Sequence, residues 1–193
     1  RMVTRPLKTM KLTLGETYTR KLAVPAGAID KEQRRITVTF SSEIPYDRGD
    51  YFEVLDHSEQ SVDLTRLNSG AAFLVNHNPD DFVGAVDQAW IAKRKGHAVL
   101  EFSESDRAGE IWTDTSAGRR SNYSIGYKIK AYEQDGELDD KPIVRVTEWE
   151  PFEISTVPVP ADPTIGLGRR TFTPTTNQME KENKKQDAES ASN

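Results

Sequence analysis

The chain has 193 residues, which suits one domain of ordinary size and is short for two. Its 26 Lys and Arg against 31 Asp and Glu give a net charge of −5, so nucleic acid is not an expected partner. The absence of Cys excludes disulfides, thiolate metal sites and cysteine nucleophiles. Because the apolar stretches are only strand-sized and no signal-peptide pattern opens the chain, we expect neither secretion nor a membrane span.

Short runs of β-branched and aromatic residues, broken by turn residues, predict a β-rich α+β domain with few helices. The clearest alternation of apolar and polar residues starts at Arg35. Further predicted strands are Tyr51–Leu55, Ala71–Val75, Val83–Val86, His97–Phe102 and Pro142–Val146. A barrel or closed sheet would leave such strands without open edges.

Two helices are predicted between the strands. A short one fits Asp63–Leu67, and a longer one fits Ser105–Ala117, with Ser105 or Asp106 as its N-cap and Gly118 at its C-terminal end.

The segment after the longer helix alternates as a strand does. Four apolar positions of Asn122–Lys130 alternate with smaller or polar ones, which puts Ser124 on the less apolar face. The acidic stretch Glu133–Asp140 is predicted to be a turn outside the core. The chain is therefore divided into an N-terminal extension (1–10), one folded domain (11–170) and a polar tail (171–193) that we expect to be disordered.

Histidine is scarce, which narrows the choice of a general base to three residues. His77 lies where the strand Phe73–His77 gives way to a turn, so its ring can face a cleft. His97 follows a predicted hairpin turn and is expected to be solvated. His57 lies in a polar loop near acidic residues, where a histidine usually has no catalytic role. The wide spacing of the three predicts no metal site, and no phosphate-binding glycine motif is present.

A serine hydrolase needs a hydroxyl, a base within hydrogen-bond reach and a third group that orients the base. Ser124 is a candidate hydroxyl, although a serine two residues before a glycine is common in ordinary strands. It lacks the G-x-S-x-G elbow, which disfavours an α/β-hydrolase arrangement.

Three segments, in this order, resemble the prohead maturation proteases of tailed bacteriophages: Leu74–Asp80, Ser121–Tyr127 and Phe152–Ala161. The resemblance spans roughly Arg35 to Pro163. That family is distantly similar to herpesvirus assemblin, which implies a β-barrel with a few surrounding helices.

The resemblance also implies the roles of individual residues. His77 would be the base, Ser124 the nucleophile and Glu153 the third member, with no cofactor and no metal. Arg169–Arg170 is faintly similar to an arginine pair of the herpesvirus enzymes, but is not counted as catalytic. Rivals for the third position remain open: Asp80, Glu148 and Glu150.

The implied function is that of a serine endopeptidase acting in the host cytoplasm, inside the assembling prohead. Its substrates would be scaffold and major capsid proteins and the chain itself, with Ala191-Ser192 as one self-cleavage site, and a homodimer stays open. The main alternative is a catalytically silent capsid-assembly module with the same fold. A small-substrate esterase or amidase and a metal-dependent hydrolase are further alternatives.

Overall fold

The computed structural model describes residues 12–23 and 29–158. The N-terminal extension, the Arg169–Arg170 pair, the polar tail and the Ala191-Ser192 bond fall outside these residues. The proposed domain boundaries and the disorder of the tail therefore stay predictions.

The described residues form a 10-stranded sheet, one α-helix and one short 3-10 helix. The helices are α1 (Asp106–Ser116) and the 3-10 helix Leu67–Ser69. The strands are β1 (Thr17–Ala23), β2 (Ile29–Asp30), β3 (Arg35–Ser42), β4 (Tyr46–Asp47), β5 (Phe52–Leu55), β6 (Ala72–Val75), β7 (Asn78–Ala92), β8 (Lys95–Phe102), β9 (Asn122–Leu138) and β10 (Lys141–Thr156).

The sheet is mixed, and its main path runs β1-β9-β10-β6-β7-β8-β3-β2, with β5 paired to β10 and β4 to β5. Most pairs are antiparallel, whereas β10 runs parallel to both β5 and β6. This confirms the predicted strand-rich fold with few helices. Within the described residues the two ends of the path, β1 and β2, are not paired, so the sheet does not close into the expected barrel.

Strand alternation builds the core where the sequence predicts it. Every second residue of β3 is buried, namely Ile36, Val38 and Phe40. In β9 the predicted apolar face is fully buried, but Ser124 on the other face is also 0% exposed. The second face of β9 is therefore covered at Ser124 and Gly126, whereas Lys128 and Lys130 further along it are exposed.

Helix α1 forms as predicted, and Ser105 rather than Asp106 is its N-cap. The Ser105 hydroxyl accepts a hydrogen bond from the backbone N–H of Ala108 at 3.2 Å. Ala108 and Ile111 are buried against the sheet, and Trp112 meets the ring of Phe102 edge-on at 5.1 Å. The helix thus packs through one apolar face.

Two predicted elements are wrong. No helix forms over Asp63–Leu67; the 3-10 helix starts only at Leu67, because Asp63 accepts a hydrogen bond from the Thr65 N–H and stabilises a local turn. Most of the predicted acidic turn is strand, and only Asp139–Asp140 turns, with positive φ at both residues. The acidic residues of this hairpin remain hydrated, since Glu133 to Asp140 are all exposed.

Candidate active site

His77 is the second residue of a two-residue turn that joins β6 to β7. Val75 pairs with Asn78, and both Asn76 and His77 have positive φ (54° and 59°), the pattern of a type I′ hairpin. The expected turn therefore starts earlier than predicted, and β7 begins at Asn78. The backbone N–H of Asn76 donates to the carbonyl of Thr156 at 3.0 Å, which holds the turn against β10.

Strand β10 lies between the strand that carries Ser124 and the strand that leads to His77. Ser155 pairs with Ser124 of β9 on one side and with Leu74 of β6 on the other, while Glu153 pairs with Gly126. Because directly paired residues point to the same face, Ser124, Ser155 and Glu153 share one face of the sheet.

The three residues selected from the sequence lie in one hydrogen-bonded chain. The Oγ of Ser124 is 2.7 Å from Nε2 of His77, and Nδ1 of His77 is 2.6 Å from Oε1 of Glu153. A carboxylate can only accept, so Nδ1 carries a proton and donates to Glu153. Nε2 of the neutral ring then accepts from the Ser124 hydroxyl. Such a chain can move a proton from the hydroxyl onto the imidazole.

The position of Glu153 depends on the missing side chain of Gly126. A Cβ at Gly126 would lie 2.5 Å from Oε1 of Glu153 and 2.7 Å from Cζ of Phe152. The β9–β10 register shifts between Pro151 and Glu153, and this bulge brings both side chains over the glycine. Sequence analysis missed this role, although Gly126 shares a strand face with Ser124.

Ser155 is a second residue that sequence analysis missed. Its hydroxyl donates to Oε2 of Glu153 at 2.8 Å and accepts the backbone N–H of His77 at 3.0 Å. The available signal was its spacing, because Glu153 and Ser155 are two apart on a strand and share a face.

The burial of the three residues is uneven. Ser124 is 0% exposed and Glu153 is buried, whereas the His77 side chain is 23% exposed. The ring of His77, the middle member of the hydrogen-bonded chain, is therefore its most exposed part.

The rival acids are not brought to His77. Glu150 makes an ion pair with Lys130 at 2.9 Å, and Glu148 and Asp80 are exposed.

His57 lies in the loop after β5, as the sequence predicted, but its side chain is buried. It is 2% exposed, its Nε2 lies 2.6 Å from Oγ of Ser41, and its Nδ1 lies 2.7 Å from the carbonyl of Leu55. The polar neighbours of His57 in sequence suggested a loop, but a hydroxyl from β3 satisfies the ring inside the fold.

His97 follows the hairpin turn at Lys93–Arg94 and lies in a strand, β8, as predicted. The expectation of a solvated ring is wrong, because the ring is only partly exposed and stacks on Trp90 with 5.6 Å between the ring centroids. Partial burial lowers the pKa of His97 below its ordinary value of 6.5. Among the described residues, no group of three or more His, Asp or Glu is arranged to hold a metal ion. No helix in the described part of the chain has the length and apolar character needed to span a bilayer.

A strand-rich fold that joins hydroxyl, imidazole and carboxylate has the kind of site found in serine hydrolases. Residues 48–181 match the profile of the caudovirus prohead serine proteases, and the chain belongs to this family.

Two relatives are phage capsid proteins. The chain is 41% identical over 138 residues to the major capsid protein of Halomonas phage phiHAP-1, covering 68% of the chain and 22% of that protein. It is 27% identical over 142 residues to the capsid polyprotein of Pseudomonas phage PAJU2, covering 70% of the chain and 20% of that protein. The match thus spans about a fifth of the length of each relative.

The fold is similar to a solved structure, that of the bacteriophage T4 capsid assembly protease, gp21. The TM-score is 0.51 with 12% sequence identity, and the similarity covers 75% of this chain and 98% of that one. At this identity the comparison supports the shared fold.

Proposed function

We propose that the chain is a serine endopeptidase of capsid maturation, with Ser124 as nucleophile, His77 as general base and Glu153 as the third member. The proposal rests on the continuous hydrogen-bonded chain, in which His77 lies 2.7 Å from Oγ of Ser124 and 2.6 Å from Oε1 of Glu153. This chain occurs in a member of a serine protease family. Glu153 would hold the ring orientation and stabilise the imidazolium that forms during proton transfer.

The reaction would proceed by acyl transfer. Oγ of Ser124 attacks the carbonyl carbon of a peptide bond while Nε2 of His77 takes the hydroxyl proton. The tetrahedral intermediate collapses as the imidazolium returns that proton to the leaving amine, which leaves an acyl-enzyme. Water then attacks the ester as His77 takes one of its protons. The imidazolium returns that proton to Oγ of Ser124 as the second product, a carboxylic acid, leaves.

Access to the nucleophile imposes a condition on this mechanism. Ser124 has no exposed surface, and the His77 side chain is the most exposed of the three. A peptide would therefore enter from the His77 side and displace the groups that cover the Ser124 hydroxyl.

We further propose that the substrates are capsid and scaffold segments within the assembling prohead, together with sites in the chain itself. The capsid names of both relatives and the capsid assembly role of the structural neighbour support this choice.

The test is intact-mass analysis of the full chain co-expressed with the capsid protein of its phage. Wild type is compared with Ser124→Ala and His77→Ala, and Ser41→Ala serves as the control that removes the other serine–histidine hydrogen bond. Loss of nucleophile or base lowers the rate by several orders of magnitude, so trimming is expected only in wild type and the Ser41 control.

A catalytically silent capsid-assembly module is the second candidate, and the capsid names of the relatives favour it. Equal trimming in all four proteins, or none in any folded one, would support this candidate and contradict the protease.

A further inference from the structure

We propose that Ser155 is a positioning residue that locks the base and the acid of the site together through a single hydroxyl. The inference rests on the proposed function and extends it to a residue that does not touch the substrate. It follows from three features of Ser155: its two hydrogen bonds, its burial and its position in the sheet.

The two hydrogen bonds of Ser155 have opposite directions. Its hydroxyl donates to Oε2 of Glu153 at 2.8 Å, and its oxygen accepts the backbone N–H of His77 at 3.0 Å. Oε1 of Glu153 is occupied by Nδ1 of His77 at 2.6 Å. Each carboxylate oxygen thus has its own donor, and rotation of the carboxyl group would break both bonds.

The bond to the His77 backbone restrains a residue in an uncommon conformation. His77 has φ 59°, in the left-handed region that costs a side-chain-bearing residue free energy. The Ser155 oxygen holds this N–H, and the Asn76 N–H is bound one residue earlier by the carbonyl of Thr156. The direction from which the imidazole approaches Ser124 is therefore fixed from β10.

The burial of Ser155 makes its hydroxyl hard to replace with water. Ser155 is 0% exposed and lies between Ser124 and Leu74 in neighbouring strands. Removing the hydroxyl would leave a carboxylate oxygen and an N–H without their partner in a buried setting, which is the costly case for hydrogen bonds.

The test compares Ser155→Thr, which keeps the hydroxyl, with Ser155→Val, which has the same shape but no hydroxyl. Ser155→Ala is measured beside them. The first readout is the rate at which a fluorophosphonate probe phosphonylates Ser124, followed by intact mass. In this reaction Oγ bonds to phosphorus, fluoride leaves and the proton passes to His77. We expect Ser155→Val and Ser155→Ala to slow labelling by about tenfold to a hundredfold, and Ser155→Thr to label at a rate near that of wild type.

The second readout is the proton NMR signal of the His77 Nδ1–H, assigned by its loss in His77→Ala. We expect Ser155→Val and Ser155→Ala to shift or broaden this signal, because the carboxylate that holds the proton becomes free to rotate. Ser155→Thr should keep it.

The matched control is Ser42→Ala, which removes a buried hydroxyl that has no hydrogen-bond partner among the described residues and lies in β3. It should change neither readout. An unchanged labelling rate and an unchanged Nδ1–H signal in Ser155→Val would overturn the inference. Equal losses of labelling rate in Ser155→Val and Ser155→Thr would also overturn it. No labelling in wild type would count against the protease, and the NMR signal would then still decide the role of Ser155.

Discussion

Two serine–histidine hydrogen bonds of almost equal length lie within the described part of the chain, and they differ at the far side of each ring. The distance from the serine Oγ to the histidine Nε2 is 2.7 Å between Ser124 and His77, and 2.6 Å between Ser41 and His57. Nδ1 of His77 meets the carboxylate of Glu153, whereas Nδ1 of His57 meets the neutral carbonyl of Leu55. A short serine–histidine contact is therefore no sign of catalysis by itself.

The comparison teaches that the partner of Nδ1 and the exposure of the ring distinguish the proposed catalytic pair from the pair of Ser41 and His57. A carboxylate stabilises the positive ring that forms when a proton is taken up, while a carbonyl offers only a dipole. The His77 side chain is 23% exposed, whereas His57 is 2% exposed.

The largest effect is expected from making the third partner of His77 neutral. In Glu153→Gln the amide can donate to Nδ1, which favours the tautomer with the proton on Nε2 and removes the acceptor for the Ser124 hydroxyl. We expect phosphonylation of Ser124 to slow by about 10³- to 10⁴-fold, measured by intact mass over time. Glu150→Gln, which breaks a surface ion pair on the same strand, is the control, and similar rates in both variants would contradict the assignment.

A smaller loss is expected when the carboxylate is displaced without changing its charge. In Gly126→Ala the new Cβ would lie 2.5 Å from Oε1 of Glu153 and 2.7 Å from Cζ of Phe152, so these side chains must shift from their present positions. A misplacement of the carboxylate by about 1 Å lowers the rate by about 100-fold, to be measured by the same labelling. Gly109→Ala is the control, since its Cβ would meet only Arg34 Nη2 at 4.0 Å. Labelling at the wild-type rate in Gly126→Ala would mean that Glu153 is not needed in this position.

The second serine–histidine pair should respond in stability rather than in activity. Ser41→Ala leaves Nε2 of His57 without its hydroxyl partner in a buried site, which costs about 1–3 kcal/mol of unfolding free energy. Urea unfolding measures this loss, and the labelling rate per folded molecule should not change. A folded Ser41→Ala protein that labels slowly would show that the two pairs are coupled.

The smallest effect concerns His97, which is neither reactive nor deeply buried. Its pKa is lowered in the folded protein, so the unfolded chain binds the proton more readily once the pH falls below about 6.5. Wild type should therefore lose some stability between pH 7.5 and pH 5.5 that His97→Gln does not lose. Urea unfolding at both pH values measures the difference, and identical pH dependence would contradict the lowered pKa.

Sequence analysis predicted the elements that depend on residues close together in the chain. The alternation of β3 and the N-cap at Ser105 were readable because strand period and capping depend on neighbouring residues. The burial of His57 was not readable, since the hydroxyl that satisfies its Nε2 belongs to Ser41, 16 residues earlier in β3. The same limit applies to the acidic part of β9, where pairing with β10 overrides a turn-like composition.

Sequence analysis selected the three residues that the structure brings into one hydrogen-bonded chain, but it did not select the neighbouring residues that contact them. His77, Ser124 and Glu153 follow from residue chemistry together with the family resemblance. The positions of Gly126 and Ser155 beside Glu153 depend on the register of β9 and β10 and on the bulge between them.

The order in which the site residues occur along the chain has a consequence for the timing of its assembly. His77 and Glu153 are 76 residues apart, and Ser124 precedes Glu153 by most of a long hairpin. During synthesis His77 and Ser124 emerge first, and Glu153 and Ser155 follow only with β10, the last described strand. Because such non-local pairings form late in folding, a nascent or truncated chain that lacks β10 carries a serine and a histidine but no assembled site.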